Sequence, residues 1–171
     1  MPKLRHYSRY AAITLVLGLA VSLNACSNHA GIEGPAPQIG FKTLKNKTPL
    51  YLSELGKPLL VSFWSTTCVV CLKEMPHLTE VYEEFKPKGF EMVAVAMPFD
   101  KPSDVVELSE GNDWPFLVAI DLNSQVLNAF GDIKGTPTAF LIDQDGNFVD
   151  KYVGAIDLKK FRETLTKLTD T

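Results

Sequence analysis

The sequence predicts an α/β fold, a central mixed β-sheet flanked by helices, on three observations. Apolar runs at residues 58–64 and 90–97 are too short for helices and read as buried strands, with residues 116–121 a third strand. Segments beginning near residues 69, 102 and 124 have helical character and alternate with those runs. After a further strand the turn DGN leads into a last strand and an amphipathic helix, so antiparallel strands join the parallel ones.

The first residues stand apart from this pattern. MPKLRHYSRY is basic, AAITLVLGLAVS is apolar and LNAC follows directly. That apolar stretch is shorter than the roughly 20 residues a membrane span needs, which fits an export signal. Leu23, Asn24, Ala25 and Cys26 resemble the lipobox of bacterial lipoproteins. The resemblance implies a signal peptide over residues 1–25 and a lipid on Cys26 that anchors the chain on the periplasmic side of a bacterial membrane. Ser27 resembles the outer-membrane sorting pattern more than the inner-membrane aspartate, whereas proteins of this kind are commonly attached to the inner membrane, so both membranes stay open. A secretory signal with an incidental cysteine is the plainer alternative, and either reading takes the chain to an oxidising compartment. Setting aside Lys3, Arg5 and Arg9 moves the net charge from −3 to −6, with no basic patch for nucleic acid.

Residues 26–37, rich in Gly, Pro and small polar residues, read as a flexible tether, with one domain over residues 38–171. QIGFKTL and TPLYLSEL, joined by KNK, predict an N-terminal β-hairpin. PLLVSFW is the first buried strand. From Val69 the apolar positions Leu72, Met75, Leu78, Val81, Tyr82 and Phe85 recur at helical spacing as far as PKG, and Pro76 is expected to kink that helix. FEMVAVAM is the second buried strand, PSDVVELSEG a helix opened by proline, and FLVAID a third strand before a short helix at residues 124–130. GTPTAFLID and FVDKYVG flank the DGN turn, and Asp157 caps the last helix, LKKFRETLTKL.

The chemistry is concentrated in FWSTTCVVC. Two cysteines three apart serve as a metal clip, a structural disulfide, a peroxidatic site or a redox pair. A structural disulfide gains most by closing a long loop, and this pair closes almost none. Cys68 falls at the strand-to-helix turn, where free backbone N–H groups and the positive dipole end lower a thiol's pKa. Cys71, one turn further in, is expected to lie deeper and ionise less. The asymmetry assigns attack to Cys68 and resolution to Cys71.

Together with CLKEMP after the cysteines, GTPTAFLID and the DGN hairpin, these residues resemble the thioredoxin superfamily. More narrowly, they resemble its membrane-anchored, extracytoplasmic thiol:disulfide oxidoreductases of the TlpA and ResA type, over residues 38 to about 169. The resemblance implies a thioredoxin-like fold with the N-terminal hairpin and an insertion between the second βα unit and a cis-proline strand. It implies a cis bond between Thr136 and Pro137, facing the cysteines and offering backbone to a partner chain. Trp64 matches an aromatic bordering the site, expected to contact substrate or shield the sulfurs. Glu74 matches an acidic residue of reductants linked to cytochrome c maturation, expected to tune thiol pKa or relay a proton, although a solvated helix residue is the plainer reading. No cofactor is expected beyond the Cys68–Cys71 disulfide. Implied partners are disulfide-containing envelope proteins and a membrane thiol reductant, with the protein a monomer.

Val69 and Val70 depart from the proline-containing dipeptides common in the family and add no polar support to Cys68, which points to a reductant. Ser62 stands where cytoplasmic thioredoxins carry a buried aspartate. A copper-binding CxxC module is the main alternative, since a closed zinc site wants four ligands and His29 and His77 are solitary. Peroxidatic chemistry fits less well, because Val61 and Ser65 occupy the positions where peroxiredoxins have proline and threonine.

Overall fold

The computed structural model of the chain describes residues 32, 34–45, 48–131 and 133–170. The predicted signal peptide, Cys26, His29 and most of the KNK turn lie outside these residues.

Two short strands, β1 (Gly40–Phe41) and β2 (Leu50–Tyr51), pair antiparallel as the N-terminal hairpin. β3 (Leu59–Trp64) leads into α1 (Val69–Phe85), β4 (Glu91–Ala96), α2 (Pro102–Gly111), β5 (Leu117–Ile120) and α3 (Gln125–Phe130). β6 (Thr138–Ile142), β7 (Phe148–Val153) and α4 (Leu158–Thr169) complete the fold. The five-stranded sheet has the order β5-β4-β3-β6-β7, with β3, β4 and β5 parallel and β6 and β7 antiparallel. The β5–α3 unit lies between the second βα unit, β4–α2, and β6, where the insertion is expected.

Strand side chains alternate between two cores, as the period of two requires. Leu60 and Trp64 of β3 and Met92, Ala94 and Ala96 of β4 face α1, α2 and α4. Leu59, Val61 and Phe63, with Val93 and Val95, face Phe41, Leu52, Val126 and Phe130 on the other side. α1 runs through Pro76 as one element, although proline cannot donate to the Leu72 carbonyl. Asp157 caps α4 by accepting the N–H groups of Lys159 and Lys160.

Two expectations for the N-terminal region need correction. A free tether does not extend to residue 37: Ala36 is buried and its N–H donates to Gly146 O at 2.8 Å, while the Phe148 N–H donates to Gly34 O at 2.9 Å. The hairpin is also shorter than predicted. Lys42–Leu44 leaves it to cover the open edge of β5, where the Leu44 N–H donates to Val118 O and the Ile120 N–H to Lys42 O. An unpaired edge strand invites association with other chains, so its backbone groups are better used there than in a longer hairpin.

Candidate active site

The sheet's central strand, β3, ends at Trp64, and the chain turns through Ser65, Thr66 and Thr67 to reach Cys68 at the N-cap of α1. The Cys68 N–H donates to Ser65 O at 3.0 Å, and its carbonyl accepts the Leu72 N–H at 3.0 Å. Cys68 Sγ itself caps the helix by accepting the Cys71 N–H at 3.2 Å. The two cysteines are joined as a disulfide with Cα atoms 5.3 Å apart. Cys68 is half-buried, whereas Cys71 is 1% exposed within the core beneath α1. An attacker therefore reaches Cys68 first, and the Cys71 N–H that Cys68 Sγ caps is also the one placed to stabilise a thiolate there.

The opposite wall is the turn before β6. The Thr136–Pro137 bond is cis, and the Thr136 carbonyl oxygen lies 3.5 Å from Cys68 Sγ. Pro137 O accepts the Gly154 N–H at 2.9 Å, and Thr138 Oγ1 donates to Gly135 O at 2.7 Å, fixing both sides of the turn. Val69 and Val70, 63% and 50% exposed, follow Cys68 as the first two residues of α1 and are apolar.

Glu74 is not a solvated helix residue. It is 7% exposed and lies one turn beyond Cys71, with Oε1 accepting the Ile156 N–H at 2.6 Å. Burial pushes its carboxyl above the ordinary 4.5, opposed by the Ile156 N–H and by His77. The folded chain thus holds this proton more tightly than the unfolded chain. Stability contributed by Glu74 is greatest below its unfolded pKa and is lost as pH rises through the higher folded value. Glu74→Gln can keep an acceptor for Ile156 without the buried charge. It is expected to unfold at higher temperature than wild type at neutral pH, and the difference should shrink in thermal melts at pH 4.

Trp64 is corrected in one respect. It is fully buried and offers no surface to a substrate; its ring packs edge-on against Trp114, with centroids 5.0 Å apart, in the core that also holds Cys71. His77 is exposed on α1, 4.0 Å from Glu80. Among the described residues, no three His, Cys, Asp or Glu side chains are grouped to hold a metal ion.

Sequence reasoning missed Trp114 and Asp100. Trp114 stacks on Phe116 and closes the core over Trp64. Asp100 looks like a turn residue before a proline-opened helix, yet its carboxylate holds the loop in front of Cys68. In both cases the partner is distant in sequence and no local spacing marks the pair.

Comparison with known proteins agrees with this geometry. A family model described as Redoxin matches residues 32–168. A thiol-disulfide oxidoreductase ResA from Bacillus cereus is 34% identical over 140 residues, covering 78% of this chain and 76% of its own. The protein of that name from Geobacillus kaustophilus is 30% identical over 174 residues, covering 96% of this chain and 99% of its own. Among solved structures, a thiol:disulfide interchange protein of the thioredoxin family from Chlorobium tepidum aligns with a TM-score of 0.71 at 26% identity, covering 81% of this chain and 97% of its own. The match along most of the chain, with a cysteine pair at the helix start, places this protein in the redoxin family as a thiol-disulfide oxidoreductase of thioredoxin fold.

Proposed function

We propose that the protein is a lipid-anchored, extracytoplasmic reductant of disulfides in other envelope proteins. The observation that carries this reading is the unequal pair: Cys68 half-buried with Sγ on a backbone N–H at the helix start, and Cys71 buried behind it. In the reduced protein the Cys68 thiolate attacks one sulfur of the partner disulfide. That S–S bond breaks, the partner's second sulfur leaves as a thiolate and takes a proton, and a mixed disulfide remains. Cys71, once deprotonated, attacks Cys68 Sγ, releases the first partner sulfur and leaves the Cys68–Cys71 disulfide. Two electrons pass to the partner with no cofactor beyond that disulfide, and a membrane thiol reductant returns them.

Thr136 and Pro137 supply the wall along which the partner chain lies, and the Thr136 carbonyl beside Cys68 is a backbone acceptor for it. Glu74, buried one turn beyond Cys71 on α1, takes the Cys71 proton during resolution in this reading, which its burial supports. Val69 and Val70 add no polar support to the thiolate, which favours donation of electrons over oxidation of partners. Apocytochrome c and copper-site proteins are the client classes this reading favours. Cys71→Ser leaves attack intact and removes resolution, so it is expected to accumulate mixed disulfides through Cys68 in envelope extracts. Trapped species absent from that variant, with Cys68 reduced and accessible, would contradict the reading.

A further inference from the structure

Asp100 is a buried acid outside the cysteine pair and the proline wall, and all of its side-chain bonds run to the loop in front of Cys68. It is 7% exposed and ends the turn after β4, where its own N–H donates to Met97 O at 2.9 Å. The Met97 N–H donates to Trp64 O at 3.0 Å, so this turn is registered against the last residue of β3. Asp100 Oδ1 accepts the Ser65 hydroxyl at 2.9 Å, the Thr66 hydroxyl at 2.7 Å and the Thr66 N–H at 3.2 Å. Oδ2 shares that Thr66 N–H, also at 3.2 Å.

The direction of these bonds extends the clamp to Cys68. With its proton committed to Asp100, Ser65 Oγ accepts the Thr67 N–H at 3.3 Å and lies 3.1 Å from Thr67 Oγ1, which is then the donor. Ser65 O in turn accepts the Cys68 N–H at 3.0 Å. Each of Ser65, Thr66 and Thr67 is thus fixed, directly or through one hydroxyl, by one acceptor-only group. A side chain with its own donor would face donors there.

We infer that Asp100 is a positioning residue for the reaction: by holding residues 65–67 it keeps Cys68 Sγ on the end of α1, over the Cys71 N–H. Loss of the clamp lets the loop, and the sulfur with it, move off the helix end that favours the thiolate. The inference rests on Cys68 as the attacking thiol.

The test is the rate of alkylation at Cys68 in the fully reduced protein at pH 7, read by mass spectrometry on the Cys68 peptide, beside thermal melts. Asp100→Ala is expected to slow Cys68 about tenfold, the scale of a lost charge-assisted bond. Thr66→Val, which removes one hydroxyl from the other side of the clamp, should slow it by a smaller factor. The double variant should be no slower than Asp100→Ala alone, because both changes break one network. Asp100→Asn, which keeps an acceptor oxygen, should recover part of the rate. Thr66→Val keeps the test open should Asp100→Ala fail to fold. Rates within twofold of wild type or faster, whatever the melting temperatures do, overturn the inference, as do additive losses in the double variant. If Cys68 in the wild type is not the faster-reacting cysteine, it is the proposed mechanism that fails instead.

Discussion

Cys68→Ser is expected to lower catalysed disulfide reduction by roughly a thousandfold or more, the scale seen when a covalent nucleophile is removed. A serine hydroxyl at this helix end does not ionise near neutral pH, and Cys71, 1% exposed, cannot take over the attack. The substitution also separates chemistry from folding. Serine is a preferred N-cap residue, so its Oγ can accept the Cys71 N–H that Cys68 Sγ accepts in the native chain. Cys68→Ala removes that cap as well and should cost a further ~1 kcal/mol of stability. Turnover of a model disulfide with dithiothreitol as electron source, beside denaturant unfolding of both variants, checks the two parts. Substantial turnover by Cys68→Ser would mean that the attacking group is elsewhere.

Trp64→Ala is expected to give the largest loss of stability among the active-site neighbours, about 3–5 kcal/mol. Trp64 is fully buried against Trp114, and truncation would leave a void between β3 and the helices above it. A typical domain has about 5–15 kcal/mol in total, so the variant should be partly unfolded at physiological temperature. Trp64→Phe is a sharper test. Trp64 Nε1 is buried without a hydrogen-bond partner among the described residues, so phenylalanine loses ring volume but also removes an unsatisfied donor. Its cost should stay under ~1.5 kcal/mol in urea unfolding. A loss as large as that of the alanine variant would show that the indole N–H has a partner in solution.

What was legible in the sequence divides along a physical line. PLLVSFW and FEMVAVAM were readable because a strand buried on both faces must be apolar at every position, and the β3–β4 pair follows from their alternation with a helix. The Cys68–Cys71 pair was readable because its chemistry is local, one turn at a helix start. Glu74 was ambiguous for the opposite reason. Its burial depends on the Ile156 N–H, which the β7–α4 connection brings from far along the chain. Asp100 and Trp114 were missed on the same ground. Lys42–Leu44 read as hairpin because its composition suits any extended pairing, and only the open edge of β5 selects the partner.

The proposed direction of electron flow rests on Val69 and Val70 giving Cys68 no polar support, with the thiolate held by the helix end alone. The equilibrium reduction potential of the Cys68–Cys71 couple, titrated against dithiothreitol or glutathione buffers, tests this most directly. A value near that of thioredoxin, about −270 mV, is the predicted result. A value near that of strong disulfide-forming oxidants, about −120 mV, would contradict the assignment of the protein as a reductant.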